Sequence, residues 1–245
     1  MQITVILPTF NEAENLPKIV PELFKLSLPD LKLIVIDDNS PDHTGDIAEE
    51  LANQHPGRLE VVHRGSKLGL GTAYITGFKL ALKGGAEAIG TMDSDFSHPV
   101  DKLIPLAEAL EGCDIAIGSR YAPGGKVDEA WPLWRKALSS FGNGYARTIL
   151  RLPIRDVTGG FRLYRRTAVQ TLPLEQVRSN GYVFMVEIAY LAHILGLRFG
   201  EVPIYFADRR WGKSKMSLRI QLEAAIRVWQ LLGMYNDIKG TLTIQ

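Results

Sequence analysis

The first half of the chain alternates short apolar runs, rich in β-branched residues, with segments of helical periodicity. This alternation restricts the fold more than any other feature. The predicted strands are Ile3–Leu7, Leu33–Ile36, Leu59–Val62, Ala88–Met92 and Ile115–Gly118. The predicted helices are Glu14–Leu26, Thr44–His55, Gly71–Leu82 and Asp101–Leu110. Strands and helices that alternate at this spacing predict an α/β fold, with a mostly parallel central sheet covered by helices on both faces.

The sequence changes character near Ala122. The elements predicted beyond it are a helix at Trp131–Leu152, a loop at Asp156–Arg166 that enters a short strand, a helix at Val183–Leu195, a strand at Phe199–Phe206, a basic loop at Arg209–Lys215 and a helix at Met216–Tyr235. No repeat, low-complexity tract or linker separates the two parts. We therefore expect a single domain over residues 1–245.

Composition and charge exclude several classes of protein. A hydrophobic content of 46% and a charged content of 22% are those of a folded globular chain rather than a disordered one. A net charge of +1 gives no whole-molecule basic field for nucleic acid. The single cysteine, Cys113, excludes an internal disulfide and a cysteine-based zinc site. We see neither a signal peptide nor a charge-free apolar run of about 18 residues, so we expect no transmembrane domain and a cytoplasmic protein.

Polar segments follow four of the five predicted strands. They are Pro8–Glu12, Asp37–Asp42, Asp93–Asp95 and Ser119–Tyr121. Because parallel sheets bind ligands at the carboxyl ends of their strands, these segments predict a site at one edge of the sheet.

Asp93 and Asp95 form the clearest chemical signal at that edge. Two carboxylates separated by one residue at a strand end point to the same side. Their hard oxygens suit Mg²⁺ or Mn²⁺, with substrate phosphate oxygens and water completing the coordination. An isolated D-x-D motif is weak evidence for a metal site. Three other polar strand ends in register with this one strengthen the prediction that Asp93 and Asp95 bind metal.

Two neighbouring segments have alternative interpretations. Asp38 follows the second strand, where nucleotide-binding folds place an acid on ribose or base, although the same segment also has good turn and helix-cap chemistry. The loop from Lys67 to Gly71 matches neither the Walker A motif nor G-x-G-x-x-G. A loop near the nucleotide and a simple helix start remain equal alternatives for it.

Eight motifs, in chain order, carry a family resemblance that runs from about residue 3 to residue 217. They are VILPTFNEAENL, VIDDNSPDHT, KLGLGTAY, MDSDFSHP, AIGSRYAPGG, WRKALS, DVTGGFRLYRR and DRRWGKSKMS. The sequence resembles the dolichol- and polyprenol-phosphate mannose synthases, which are inverting glycosyltransferases of the GT-A fold. The Arg209-x-x-Gly-x-Ser-Lys215 segment, together with GSRY, is the part most specific for transfer onto a lipid phosphate.

The resemblance implies transfer of mannose from GDP-mannose to a polyprenyl or dolichyl monophosphate, with Mg²⁺ or Mn²⁺ as cofactor. It divides the domain into a nucleotide-sugar-binding half, 1–121, and an acceptor-binding half, 122–245. The implied nucleotide-sugar contacts are Pro8, Phe10, Glu12, Ile36, Asp38, Met92, Asp93, Ser94, Asp95, Arg120, Arg209 and Lys215. The implied metal ligands are Asp93, Asp95 and Ser97, and the implied acceptor-phosphate contacts are Arg120, Arg135 and Ser139.

The charges of such a reaction indicate what the catalytic residues must do. A phosphate nucleophile is already ionised near neutral pH, so no general base is needed. The enzyme must instead overcome the repulsion between two anionic substrates, for which bidentate arginines are well suited. We therefore expect Asp93, Asp95, Arg120 and Arg135 to be the catalytic set. Asp156 is expected to contact mannose hydroxyls or to orient an arginine, and Glu187 to pair with an arginine.

The implied acceptor is a membrane lipid, and one predicted helix suits a bilayer surface. Its apolar residues are interspersed with Arg135, Lys136 and Arg147, in a stretch that lacks acidic residues from 130 to 155. These apolar residues are Trp131, Leu133, Trp134, Leu138 and Phe141. We expect peripheral attachment to the cytoplasmic face of the membrane, and a membrane-anchoring partner protein stays open. For the helix Met216–Tyr235, core packing and the interface are equal alternatives.

Two other functions are weighed against mannosyl transfer. One keeps the lipid acceptor but uses another donor, such as UDP-glucose. The other is a non-catalytic lipid- or nucleotide-binding subunit, against which the paired aspartates and the three cationic phosphate contacts argue. His98, directly before Pro99, has two interpretations, a hydrogen-bonded turn histidine and a metal ligand.

Overall fold

The computed structural model describes residues 1–208 and 218–238, and its main feature is a seven-stranded sheet. The strands of this sheet are β1 (Ile3–Thr9), β2 (Lys32–Asp37), β3 (Leu59–His63), β4 (Ala88–Thr91), β5 (Ile115–Ser119), β7 (Arg162–Arg165) and β8 (Phe199–Pro203). Their order is β3-β2-β1-β4-β7-β5-β8. A two-stranded sheet pairs β6 (Lys126–Val127) with β9 (Tyr205–Phe206).

The sheet is mostly parallel, as the sequence predicts. The pairs β2–β3, β1–β2, β1–β4 and β5–β8 are all parallel. β7 is antiparallel to both of its neighbours, β4 and β5. The part of the chain beyond Ala122 therefore supplies a strand to the middle of the sheet and another, β8, to its edge.

Eight helices pack around this sheet in the described part of the chain. They are α1 (Leu16–Phe24), α2 (Thr44–Gln54), α3 (Leu70–Lys83), α4 (Leu103–Ala109), α5 (Leu133–Leu150), α6 (Arg166–Thr171), α7 (Tyr182–Ile194) and α8 (Leu218–Met234). Short 3₁₀ turns lie at Val100–Lys102 and Leu174–Gln176. None of the helices in the described residues reaches the length and apolarity that crossing a bilayer requires.

Strand alternation explains why helices cover both faces. In β2, Ile34 and Ile36 belong to one buried apolar cluster, whereas Leu33 and Val35 belong to a second. The first cluster includes side chains of α3, α5 and α7, and the second includes side chains of α1, α2 and α4. Because successive side chains of a strand point to opposite faces, each strand contributes to both cores.

Two predicted elements differ from the structure for reasons of proline chemistry. The predicted strand Phe199–Phe206 is split into β8 and β9 around Ile204. Pro203 ends β8 because its ring nitrogen cannot donate a ladder hydrogen bond. The predicted helix Trp131–Leu152 begins at Leu133, directly after Pro132 in its N-cap position.

The helix α6 was not predicted from the sequence.

Candidate functional site

The two aspartates predicted to bind metal follow β4 and lie at the carboxyl edge of the sheet. The Asp93 side chain is 34% exposed, whereas Asp95 is buried. The Tyr74 hydroxyl donates to Asp93 Oδ1 over 3.4 Å, and the Ser97 backbone N–H donates to Asp95 Oδ1 over 3.0 Å. Burial and the Asp93 carboxylate both raise the pKa of Tyr74, so its hydroxyl keeps the proton that it donates. The Asp93 carboxylate is therefore partly exposed at this edge, and the Asp95 carboxylate is fixed by its own loop.

His98 holds the loop that carries Asp93 and Asp95 in place. Its Nδ1 accepts the backbone N–H of Asp93 over 3.0 Å, and its ring stacks on Phe161 with a centroid distance of 5.2 Å. Burial lowers the pKa of His98, although Asp93 acts in the opposite direction, so the ring is neutral and can accept this hydrogen bond. Of the two interpretations of His98, the structure supports the hydrogen-bonded turn histidine.

The donor atoms around Asp93 and Asp95 fit a hard divalent cation. The Oγ atoms of Ser94 and Ser97 are buried and make no hydrogen bond. Oxygen donors of this kind suit Mg²⁺ or Mn²⁺, and an octahedral ion takes its remaining ligands from substrate and water. Within residues 1–208 and 218–238 no three or more His, Cys, Asp or Glu side chains are grouped so that they alone could hold a metal ion.

Arg120 lies beyond β5, where the sequence places it, and is held by a buried ion pair. Its Nε and Nη2 donate to Asp156 Oδ2 and Oδ1 over 2.8 and 2.7 Å, and Nη2 also donates to Thr158 Oγ1 over 2.7 Å. The side chains of Arg120 and Asp156 are 9% and 0% exposed. Burial alone would raise the pKa of Asp156, but the Arg120 guanidinium holds it below its usual range. Asp156 was expected either to contact mannose hydroxyls or to orient an arginine. Its ion pair with Arg120 corresponds to the second role.

The loop that carries Asp156 is fixed from three directions. Glu201 on β8 accepts the backbone N–H groups of residues 155 and 156, each over 3.0 Å. Asn143 on α5 accepts the Val157 N–H over 2.8 Å and donates to the Arg155 carbonyl. Arg162, fully buried on β7, donates to the backbone carbonyls of residues 157, 159 and 185. The loop reaches the metal-binding side too, because Thr91 Oγ1 donates to the Gly160 carbonyl over 2.7 Å.

One face of α5 contributes three side chains to this region. Arg135 Nη1 lies 3.1 Å from Asp208 Oδ1, and its guanidinium lies 3.7 Å from the Trp131 ring centroid. Ser139 Oγ is 2.8 Å from the Tyr121 hydroxyl. Asn143 completes a row with four-residue spacing, which places Arg135, Ser139 and Asn143 on the same side of the helix. Sequence reasoning identified the first two and missed Asn143, although the spacing points to it.

The nucleotide-side residues lie at the ends of β1 and β2. The Lys67 ammonium is 3.8 Å from the Phe10 ring centroid. The Glu12 carboxylate accepts the side-chain amide of Asn15 over 2.6 Å. Asp38 Oδ1 lies 2.6 Å from Nε of Arg64, a residue that sequence reasoning did not single out.

Two predicted contacts belong to the core, and two others lie outside the described residues. Ile36 and Met92 have no exposed surface and belong to the two apolar clusters, so they support the edge rather than face a ligand. The predicted contacts of Ile36 with the nucleotide and of Met92 beside the metal would therefore have to come from their backbone atoms, and they stay predictions. Pro8 is partly exposed at the end of β1. Arg209 and Lys215 lie outside the described residues.

Glu187 is paired differently from the prediction. It is fully buried and accepts the backbone N–H groups of Arg178 and Ser179 and the Tyr235 hydroxyl, rather than a guanidinium. Burial and this carboxylate raise the pKa of Tyr235 far above its ordinary value. Backbone amides can satisfy a buried carboxylate as well as an arginine can, and sequence alone does not reveal them.

The outer surfaces of α5 and α8 carry exposed apolar side chains. Their exposed residues are Leu133, Trp134 and Phe141 on α5, and Ile226 and Trp229 on α8. Trp131, predicted to belong to this surface, is buried against Phe206 instead. The Trp229 indole N–H donates to the Tyr145 hydroxyl over 2.8 Å and joins the two helices. We call these five exposed residues the apolar face.

Comparison with known proteins extends these observations. Residues 4–172 match the model of glycosyl transferase family 2. The chain is 43% identical over 241 residues to polyprenol monophosphomannose synthase of Mycolicibacterium smegmatis, covering 97% of this chain and 90% of that protein. It is 40% identical over 244 residues to undecaprenyl-phosphate mannosyltransferase of Micrococcus luteus, covering 99% of each.

Among solved structures, the chain resembles glucosyl-3-phosphoglycerate synthase of Mycobacterium tuberculosis in complex with Mn²⁺, UDP and glucosyl-3-phosphoglycerate. The TM-score is 0.65 at 18% identity, over 94% of this chain and 78% of that one. Identity at that level shows a common fold only, and it confirms the predicted GT-A architecture.

Proposed function

Because the chain belongs to glycosyl transferase family 2, we propose that it transfers mannose from GDP-mannose to a polyprenyl monophosphate of the dolichyl type. The products are polyprenyl β-mannosyl phosphate, formed with inversion, and GDP. The chain is a glycosyltransferase, and relatives at 40–43% identity over nearly its full length act, by their names, in mannosyl transfer to such lipids. The observation that carries the proposal is the pair of carboxylates, the partly exposed Asp93 and the buried Asp95, at the edge where this fold binds ligands.

Asp93 and Asp95, with Ser97, would hold the divalent ion on the diphosphate of the donor. A bound Mg²⁺ or Mn²⁺ neutralises charge on the departing diphosphate. The neutral His98 keeps the Asp93 backbone in place, and Tyr74 donates to the carboxylate, so the chain fixes these ligands before substrate arrives. The cation of a Mn²⁺-bound structural neighbour supports a divalent cofactor without deciding between the two metals.

The acceptor side has to admit a second anion. Arg135 is 29% exposed on the α5 face that also carries Ser139, and we assign both to the lipid phosphate. Arg120 would act from its ion pair with Asp156, which fixes the direction of its guanidinium. Arginine suits this role because it offers several donors to phosphate oxygens in a rigid geometry. Arg209 and Lys215 complete the proposed set of cations that contact the phosphates.

We assign membrane contact to the apolar face. It continues onto the basic residues of α5, Lys136 and Arg147, an arrangement that suits an anionic bilayer surface. We expect this attachment at the cytoplasmic face, and flotation with vesicles that contain anionic lipid and polyprenyl phosphate tests whether the apolar face binds a membrane. The wild type should float at low salt, and a Trp134→Ser/Phe141→Ser variant should not. An unchanged distribution in that variant would show that another surface, or an anchoring partner, makes the contact.

A donor panel tests the reaction itself. Purified protein is given polyprenyl phosphate, Mg²⁺ or Mn²⁺, and one radiolabelled nucleotide sugar at a time. We expect label to enter the organic phase only from GDP-mannose. Label from UDP-glucose alone would replace the donor while keeping the acceptor, and no transfer from any donor would contradict the enzymatic function.

A further inference from the structure

The short strand β9 brings one aromatic ring, that of Phe206, between the two sides of the candidate site. The ring meets the His98 ring nearly edge-on, with a centroid distance of 5.5 Å and an interplanar angle of 66°. The Arg120 guanidinium carbon lies 5.2 Å from the same ring centroid, and the Trp131 ring packs against it at 5.8 Å. Phe206 therefore contacts the histidine of the metal-binding loop, the buried arginine, and the tryptophan that stacks on Arg135.

The backbone that carries this ring is fixed to the backbone that carries the arginine. β9 pairs with β6, and the Phe206 carbonyl accepts the Asp128 N–H over 2.9 Å. Two residues before Phe206, the Ile204 N–H donates to the Ser119 carbonyl at the end of β5 over 3.0 Å. Because Arg120 directly follows Ser119, the ring and the guanidinium belong to segments that are hydrogen-bonded to each other.

The planar guanidinium of Arg120 is held along one edge and also meets two aromatic rings. Asp156 and Thr158 accept hydrogen bonds from its Nε and Nη2. Hydrogen bonds along one edge do not by themselves stop the plane from turning about that edge. The rings of Tyr121 and Phe206 lie 5.3 and 5.2 Å from the guanidinium carbon, within the range of cation–π attraction, and they restrict this rotation.

We propose that Phe206 is a positioning residue whose ring face holds the Arg120 guanidinium at a fixed angle and distance from the loop of Asp93 and Asp95. This inference rests on the proposed transfer reaction, in which Arg120 faces the phosphates bound beside that loop. In this assignment Phe206 contacts no substrate and acts on the rate through Arg120. Such an effect is large enough to measure, because a displacement of about 1 Å in a catalytic group can cost about a hundred-fold in rate.

Steady-state kinetics of Phe206→Leu with GDP-mannose and polyprenyl phosphate test the assignment. We expect kcat to fall about ten-fold to a hundred-fold, because leucine fills much of the same space but offers no π face. KM for each substrate should change less than about three-fold, since Arg135 keeps its contact with Asp208. Phe206→Tyr, which keeps the ring, should recover most of the lost rate. A loss confined to KM, or no recovery with tyrosine, would overturn the assignment.

Phe24 offers a matched control. It is half-buried like Phe206, and its ring centroid lies 4.5 Å from that of His55 and 4.2 Å from the Arg58 guanidinium carbon. Phe24 ends α1 and Arg58 directly precedes β3, so this cluster lies at the opposite end of the sheet from the candidate site. Phe24→Leu should lose as much stability in chemical denaturation as Phe206→Leu, but should keep the wild-type kcat. Equal losses of kcat at equal stability would show that Phe206 supports only the fold.

A double-mutant cycle shows whether Phe206 acts through Arg120. In Arg120→Lys protein, the addition of Phe206→Leu should lower kcat less than about two-fold further, because an ammonium has no plane to orient. A further loss as large as that in the wild-type background would overturn the assignment.

Mn²⁺ binding separates this role from an effect on the metal-binding loop. Calorimetric Mn²⁺ affinity, with GDP present, should stay within about three-fold of wild type in Phe206→Leu, because His98 keeps its stack on Phe161. A loss of about ten-fold or more would mean that Phe206 acts on the metal ligands instead, and the assignment to Arg120 would be wrong.

Pentafluorophenylalanine at position 206 keeps the test decisive if Phe206→Leu folds poorly. Fluorine withdraws electron density from the ring face, so the attraction for the guanidinium is lost while the shape of the ring is nearly kept. We expect kcat to fall about three-fold to thirty-fold, and an unchanged kcat would overturn the orienting contact. If the wild-type protein transfers no mannose, the proposed function itself fails, whereas an active wild type with unaffected Phe206 variants overturns this inference alone.

Discussion

The two sides of the candidate site are built in opposite ways. On the donor side, the groups come from strand ends that are neighbours in the sheet, and the Asp93 carboxylate is one-third exposed. On the acceptor side, Arg120 is locked onto Asp156, 36 residues away in the chain, within a loop fixed by β7, β8 and α5. The donor side therefore presents a partly exposed carboxylate, whereas the acceptor side holds a guanidinium in one fixed direction.

Removing the charges of Asp93 and Asp95 should give the largest effect. We expect Asp93→Asn/Asp95→Asn to lower kcat about a thousand-fold or more, because a metal at the leaving group contributes several kcal/mol. Radiolabel transfer to the organic phase measures this loss. Asp101→Asn, an exposed aspartate at a nearby 3₁₀ turn, is the control. Chelation of wild-type protein should abolish turnover, and full activity of the chelated double variant would contradict the proposed metal role.

Breaking the Arg120–Asp156 ion pair should reduce both the stability and the activity of the protein. In Asp156→Asn, the Arg120 charge stays buried without a partner, so we expect a loss of about 3–5 kcal/mol in the free energy of unfolding. A displaced guanidinium should also lower kcat about a hundred-fold. Asp114→Asn breaks a far more exposed aspartate–arginine pair, with Arg198, and should cost less than about 1 kcal/mol. Chemical denaturation measures both losses. If Asp156→Asn and Asp114→Asn lost the same free energy of unfolding, the buried pair would be no more important for stability than the exposed pair.

The pH dependence of the same pair has a definite sign. The folded pKa of Asp156 lies below its unfolded value, so its contribution to stability is fully present above the unfolded pKa, about 4. This contribution disappears as the pH falls through the lower folded pKa. The stability difference between wild type and Asp156→Asn should therefore shrink below about pH 4. A constant difference down to pH 2 would argue against the ionised pair.

Arg135 tests whether the exposed part of the acceptor side contacts phosphate. We expect Arg135→Ala to raise KM for the lipid phosphate about ten-fold to a hundred-fold, the effect of losing one or two charge-assisted hydrogen bonds. GDP affinity should stay unchanged. Lys25→Ala, an exposed lysine at the end of α1, serves as the control for general loss of charge. Equal weakening of lipid phosphate and GDP would count against an acceptor role.

Substitution of Asn143, which links α5 to the loop that carries Asp156, should give the smallest effect on activity. Asn143→Ala leaves the Val157 N–H and the Arg155 carbonyl without their partner, which should cost about 1–3 kcal/mol of stability. We expect kcat to fall less than ten-fold, with GDP affinity unchanged. Thr148→Ala, exposed on the same helix, is the matched control. If its kinetics and stability match those of Asn143→Ala, α5 does not position the loop.

The sequence was most informative for residues whose position follows from neighbouring residues in the chain, such as those at strand ends and those spaced along one helix. The alternation of strands and helices predicts five strands and the parallel edge, and the D-x-D after β4 lies where predicted. The same rule also applies to the end of β3, where it points to Arg64. The spacing from Arg135 to Ser139 would have found Asn143 in the same way.

The rest depends on contacts between distant segments. The Arg120–Asp156 pair requires the antiparallel placement of β7, which periodicity does not reveal. Glu187 was expected to pair with an arginine because its backbone amide partners carry no sequence signal. The side chains of Ile36 and Met92 are buried in the core, which a position near a strand end does not reveal.

The antiparallel insertion of β7 also governs how the chain can be assembled. Arg162 pairs across the sheet with Thr91, so the middle of the sheet stays incomplete until some 70 later residues have emerged from the ribosome. Until then β4 and β5 present unpaired edges, which are sites of misassociation. Protein synthesis therefore cannot deliver a finished donor half first, and a fragment cut before β7 should be prone to aggregate rather than bind nucleotide.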